Sequence, residues 1–122
     1  MAEYNLKIRT KQFAVQMLKL VDSLPNKTST KVISYQLAKS SSSVGANYRA
    51  ASRARSDKEF VSKMNIVLEE ADETQYWLEL LELLVSDNTE LIRENLKETD
   101  ELISIFVTIL KNTKNRMNND IN

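Results

Sequence analysis

Across 122 residues, glycine and proline occur once each, at Gly45 and Pro25. Those two residue types punctuate turns and strand ends. A chain nearly without them is restricted to a few long helices joined by short connections. Leu, Glu, Lys and Ala, all frequent here, favour helix intrinsically. Apolar residues make up 42% of the sequence, enough for one core in one domain of this length.

The apolar spacing divides the chain into four helices. In the first, expected over Thr10–Leu24, Phe13, Met17, Leu20 and Leu24 recur at three- and four-residue steps and share one face. Pro25 ends it. The second is expected to start at Thr28 or Ser29, both good N-cap residues, and to reach Arg53. Its main seam is Ile33, Leu37, Ser41, Val44, Tyr48 and Ala51. A parallel seam of Gln36, Ser40, Ser43, Asn47, Ala50 and Ala54 has the same period but is small or polar. Small side chains let backbones approach closely, and a buried Asn or Ser needs a hydrogen-bond partner. By composition, Ser40–Ser43 followed by Gly45 resembles a flexible linker. The apolar period stays in phase on both sides of it, so a kinked but continuous helix is expected instead.

The third helix opens at Ser56-Asp57-Lys58-Glu59, which has the form of a capping box. Phe60, Met64, Val67, Ala71, Thr74, Leu78, Leu81 and Val85 follow in phase, and Leu68, Trp77, Leu80 and Leu84 widen the stripe. A helix over 57–86 is about 45 Å long, with more apolar surface than one short partner covers, which favours contacts between subunits. Asp87-Asn88-Thr89-Glu90 reads as a turn and a second capping box. In the fourth helix Ile92, Leu96, Thr99, Ile103, Phe106 and Leu110 are in phase, with fraying near Lys114. The expected architecture is an all-α, up-down-up-down four-helix bundle over 1–114. The Asn-rich segment 115–122 is expected to be a disordered tail.

The side chains restrict the chemistry. There is no cysteine and no histidine, which removes disulfides, thiolate chemistry, the commonest metal ligand and the commonest general base. A di-iron bundle site needs Glu-x-x-His pairs, so it is excluded. Glu70 and Glu73, three residues apart, suit a hard cation, but a solvated or ion-paired acidic face is the favoured reading. Ser40–Ser43 lack a histidine partner for a triad, leaving a serine–lysine pair as the open nucleophile arrangement. No glycine-rich phosphate loop occurs. The chain is therefore expected not to be an enzyme and to take no cofactor or metal. The first residues lack a basic-then-apolar signal pattern, and no apolar run nears the roughly 20 residues of a membrane span. A soluble, cytoplasmic protein that does not enter membranes is expected.

Basic and acidic residues number 17 each, but they are segregated. Between Lys27 and Lys63 lie Lys27, Lys31, Lys39, Arg49, Arg53, Arg55, Lys58 and Lys63, against only Asp57 and Glu59. Between Glu69 and Glu101 the balance reverses, with Arg93 and Lys97 the only cations among many carboxylates. A neutral chain so divided can present a basic face to a polyanion. Lys39, Arg49, Arg53, Arg55, Lys58 and Lys63 are the candidate nucleic-acid contacts, since Lys and Arg supply the phosphate contacts that dominate such binding. Tyr48 could add a stacking ring, although its place in the seam favours the core. Alternatively the charged zones serve subunit contacts, or Arg49 and Arg53 pair with Glu69, Glu70 or Glu73 across antiparallel helices.

The stretch Gln36–Leu81, QLAKSSSSVGANYRAASRARSDKEFVSKMNIVLEEADETQYWLELL, resembles a bacterial family of four-helix-bundle proteins, some encoded by intervening sequences within 23S rRNA genes. Gln36, Leu37, Ser43, Asn47, Arg55, Ser56, Glu59, Phe60 and Glu73 carry the resemblance. The SVGANYRAASRAR segment is similar to the rRNA-intervening-sequence branch. Many other members have Asn-Ile-Ala-Glu-Gly where this chain has Asn47-Tyr48-Arg49-Ala50-Ala51, so the acidic residue and glycine of that version are absent. The resemblance implies a homopentameric barrel. It also implies kinship to the accessory variability protein of diversity-generating retroelements, which binds RNA or DNA through a basic surface and partners a reverse transcriptase. Gln36, Ser40, Ser43, Asn47, Tyr48 and Trp77 are then expected to serve helix packing or subunit contacts.

Overall fold

The computed structural model describes residues 2–87 and 89–121. It contains four helices, α1 (Ala2–Asp22), α2 (Thr28–Ala51), α3 (Asp57–Leu84) and α4 (Thr89–Ile121), and no strand among the described residues. Each helix packs on the next in sequence, and α1 closes the bundle against α4, where the two backbones approach closely at the fewest points.

α1 begins well before Thr10. Its buried face is Leu6, Thr10, Phe13, Met17 and Leu20. The period is hidden in the sequence because the position between Leu6 and Phe13 is polar. The Thr10 hydroxyl makes burial tolerable by donating to the Leu6 carbonyl at 2.6 Å. Pro25 then separates α1 from α2.

The cap of α2 is neither Thr28 nor Ser29. Lys27 occupies the N-cap position with an extended backbone, and Thr30, three residues in, supplies the hydroxyl. Thr30 Oγ1 accepts from the Lys27 N–H at 3.2 Å and also bonds the Pro25 carbonyl. α2 runs unbroken through Ser40–Ser43 and Gly45, as the period required. Its buried face is Thr30, Ile33, Leu37, Ser40, Ser41, Val44, Tyr48 and Ala51. It stops at Ala51, two residues before the expected end, because Arg53 and Ala54 turn back on the Ala50 and Ala51 carbonyls.

Ser56 caps α3 as expected, accepting from the Glu59 N–H at 3.1 Å. The reciprocal half of the box is displaced by one residue, since the Glu59 carboxylate accepts from the N–H of Arg55 at 3.2 Å. Met64, Val67, Ala71, Thr74, Leu78 and Leu81 form the buried seam. Leu68, Trp77 and Leu80 pack half-buried beside it, but Leu84 stands exposed next to Leu83.

In α4 the buried face is Ile92, Asn95, Thr99, Leu102, Phe106, Leu110 and Thr113, with Leu96 and Ile103 only half-buried. Asn95 and Thr99 are satisfied within the helix, donating to the Leu91 and Asn95 carbonyls. The expected capping box at Asp87–Glu90 includes Asn88, which lies outside the described residues. α4 does not end near Lys114. It continues as helix to Ile121 where a disordered tail was expected. Thr113 is buried just before this extension, and Arg116 within it is held to Asp57 of α3 at 2.7 Å. Asn122 lies outside the described residues. Among the described residues, every buried polar side-chain atom has a partner.

Candidate nucleic-acid interface

The basic residues gather where α2 turns into α3. Arg49 sits in the last turn of α2, Arg53 and Arg55 in the connection, and Lys58 in the first turn of α3. All four are exposed. None of them forms an ion pair among the described residues.

The expected pairing of Arg49 and Arg53 with Glu69, Glu70 or Glu73 does not occur, and the register explains why. Thr74 Oγ1 meets Ser40 Oγ at 2.8 Å in the middle of the α2–α3 contact. Antiparallel helices locked at that point set Arg49 level with Asn65 and Arg53 level with Val61, a turn or more from the carboxylates. Lys39 is the α2 cation beside them. Glu70 is raised above its ordinary carboxylate range first by burial, then by repulsion from Glu73, with Lys39 opposing and Glu69 adding. Lys39 lies about 15 Å along α2 from Arg49 and is not brought together with the basic turn. Lys63 is half-buried on α3.

The acidic zone is compensated by Arg9 from outside it and by Arg93 within it. Arg9 of α1 grips Glu98 of α4 through two N–H donors at 2.8 and 2.6 Å and reaches Glu101 at 3.4 Å. The Glu98 hydrogen bond raises the Arg9 pKa and outweighs the opposing effect of partial burial. Arg93 lies 3.5 Å from Glu82, and Gln75 donates to Asp100, so α3 and α4 are also cross-linked.

Two cations that the sequence reading left out join the basic end. A cleft of about 710 Å³ opens there, lined by Lys7 of α1, Tyr48, Arg55, Asp57 and Phe60 of the α2–α3 corner, and Ile109 and Arg116 of α4. Lys7 was missed because α1 was expected to begin after it. Arg116 was missed because its segment was expected to be a disordered tail. Arg49 faces a separate groove of about 500 Å³ between α1 and α2, with Lys7 and Lys11.

The packing candidates divide. Tyr48 is only 4% exposed and stacks on Phe106 with centroids 6.4 Å apart, so its ring belongs to the core. Ser40 is buried against Thr74, whereas Gln36, Ser43 and Asn47 are half-buried, Asn47 donating to the Ser43 carbonyl at 2.8 Å. Trp77 packs edge-on to Tyr76 at 5.1 Å and donates to Glu73 at 3.3 Å. Among the described residues no group of three or more acidic side chains is placed to hold a metal ion, and no helix is long and apolar enough to cross a membrane.

A solved structure of a protein of unknown function, from the S23 ribosomal protein family of Bacteroides thetaiotaomicron, has the same fold. The TM-score is 0.82 at 35% sequence identity, over 91% of this chain and 99% of that one. No match is found among curated proteins. The match to a family of sequences runs over residues 3–108, from α1 into α4, and includes the Gln36–Leu81 motif together with the basic turn it encloses. The chain belongs to the 23S rRNA-intervening sequence protein family.

Proposed function

We propose that this protein is a non-enzymatic accessory protein of the cytoplasm that assembles as a homo-oligomer and binds RNA or DNA through the α2–α3 corner. The observation that carries the reading is the exposure of Arg49, Arg53, Arg55 and Lys58 without an ion-pair partner among the described residues. Exposed cations cost little to keep solvated, and they gain most from releasing the counterions condensed on a polyanion. Membership of a family named for rRNA intervening sequences adds to the reading. By its resemblance to the four-helix-bundle family, the assembly is a pentamer.

A titration of structured RNA and duplex DNA across salt concentrations tests the reading. If four phosphates are neutralised per subunit, log K falls with log salt at a slope of about −3 to −4 on a duplex. Arg53→Glu weakens binding uniformly across sequences and flattens the slope. Absence of binding to either nucleic acid at low salt overturns the proposal.

A second reading is a protein-interaction scaffold whose charged zones make subunit contacts. Exposed apolar side chains favour it, since Tyr35 is 67% exposed, Leu83 83% and Leu84 57%.

A further inference from the structure

We infer that the cleft at the basic end of the bundle receives an unpaired nucleotide of a single-stranded segment, with its phosphate on Lys7 and Arg55 and its base against Phe60 and Ile109. The inference rests on the nucleic-acid reading above and narrows it to one kind of strand.

The cleft differs from the surface around it in being concave and chemically divided. Its volume, about 710 Å³, falls within the roughly 300–1,000 Å³ of sites that take small organic ligands. Three separate elements place cations in its lining, Lys7 from α1, Arg55 from the turn and Arg116 from α4. Phe60 and Ile109, both half-buried against the core, contribute apolar groups to the same lining. Arg116 is engaged with Asp57 at 2.7 Å, which neutralises the one carboxylate in the lining. Lys7 and Arg55 form no ion pair among the described residues.

A site for bare phosphate has no use for an aromatic and an aliphatic side chain in its lining, and a groove for an apolar helix has no use for two uncompensated cations. An unpaired nucleotide uses both, because its charged phosphate and the stacking face of its aromatic base are covalently joined. A duplex cannot make this contact, since its base faces are stacked and only their edges reach the grooves. Stacking on protein side chains is the way single strands are held, in combination with a charged track for the backbone. Arg49 and Arg53, on the adjoining surface, supply that track for the flanking phosphates.

The test is fluorescence anisotropy with the full chain and a labelled single-stranded RNA of about twelve nucleotides, a length within typical single-strand site sizes, against the same strand in duplex form. Unmodified protein binds the single strand about tenfold more tightly than the duplex. Lys7→Gln with Arg55→Gln, both exposed positions, lowers single-strand affinity about tenfold more than duplex affinity and so removes that preference. Phe60→Leu, which keeps an apolar side chain in the core, lowers single-strand affinity alone. Arg49→Glu with Arg53→Glu lowers both. Equal binding of single strand and duplex by the unmodified chain overturns the inference while the basic-surface reading stands, as does an equal loss of both in the cleft variants. Binding of neither overturns the basic-surface reading and this inference together.

Discussion

Gly45 shows how much a single position can hide. An added Cβ there would lie 3.3 Å from the Thr10 carbonyl oxygen and 3.4 Å from its hydroxyl. The glycine therefore sits where the backbone of α2 presses on α1, in the middle of a helix where its own propensity is poor. Gly45→Leu is expected to cost about 1–3 kcal/mol by overpacking, read as a lower urea midpoint with an unchanged slope. A variant as stable as the parent would show that α1 and α2 can separate freely. The apolar period made the helix through Gly45 legible, but not the reason for glycine, because that reason is an atom of another helix. The same limit applies to the buried threonines. Thr10, Thr99 and Thr113 each bond the carbonyl one turn back, so they enter the core on a bond within their own helix that an apolar pattern does not register.

Among the elements, α1 and α4 are joined most thinly, and Arg9 bridges them. Its bidentate contact with Glu98 is partly shielded, with the two side chains 29% and 31% exposed. Partly exposed pairs of this kind contribute about 0.5–1 kcal/mol. Arg9→Gln should lower stability by about that amount at low salt. The deficit should shrink toward zero near 1 M salt, where the screening length falls to about 3 Å. Chemical denaturation with urea, which adds no ions, measures it, and a salt-independent deficit would mean that Arg9 acts through packing instead. The interiors of all four helices were legible from spacing and capping residues. The misread ends share one cause. The start of α1, the cap of α2 and the last turns of α4 are each stabilised by polar contacts that an apolar period does not register, namely the Thr10 hydroxyl, the Thr30 hydroxyl and Asp57.

At the scale of the whole molecule, the charge segregation visible in the sequence survives folding, but its bookkeeping is new. The acidic side is compensated by Arg9 and Arg93, and the basic corner is left open and enlarged by Lys7 and Arg116. Half of the candidate site was therefore readable as a run of basic residues in α2 and α3. The other half arrives from the two ends of the chain. The proposed assembly belongs to this scale too. Light scattering after size exclusion should give a mass of about five times the 14.0 kDa chain for the ring. Arg49→Glu with Arg53→Glu should leave that mass unchanged if those residues face nucleic acid, and disassembly would favour the scaffold reading. The thin α1–α4 joint has one more consequence, for the route by which the chain acquires its shape. The other extensive helix pairs among the described residues join sequence neighbours across a short link, whereas Arg9 and Glu98 are 89 positions apart. Closing so long a loop is entropically costly, and here few contacts reward it. The α2–α3 hairpin can therefore organise first, with α4 and then α1 condensing onto it. The bundle belongs among the low-contact-order folds that reach the native state quickly.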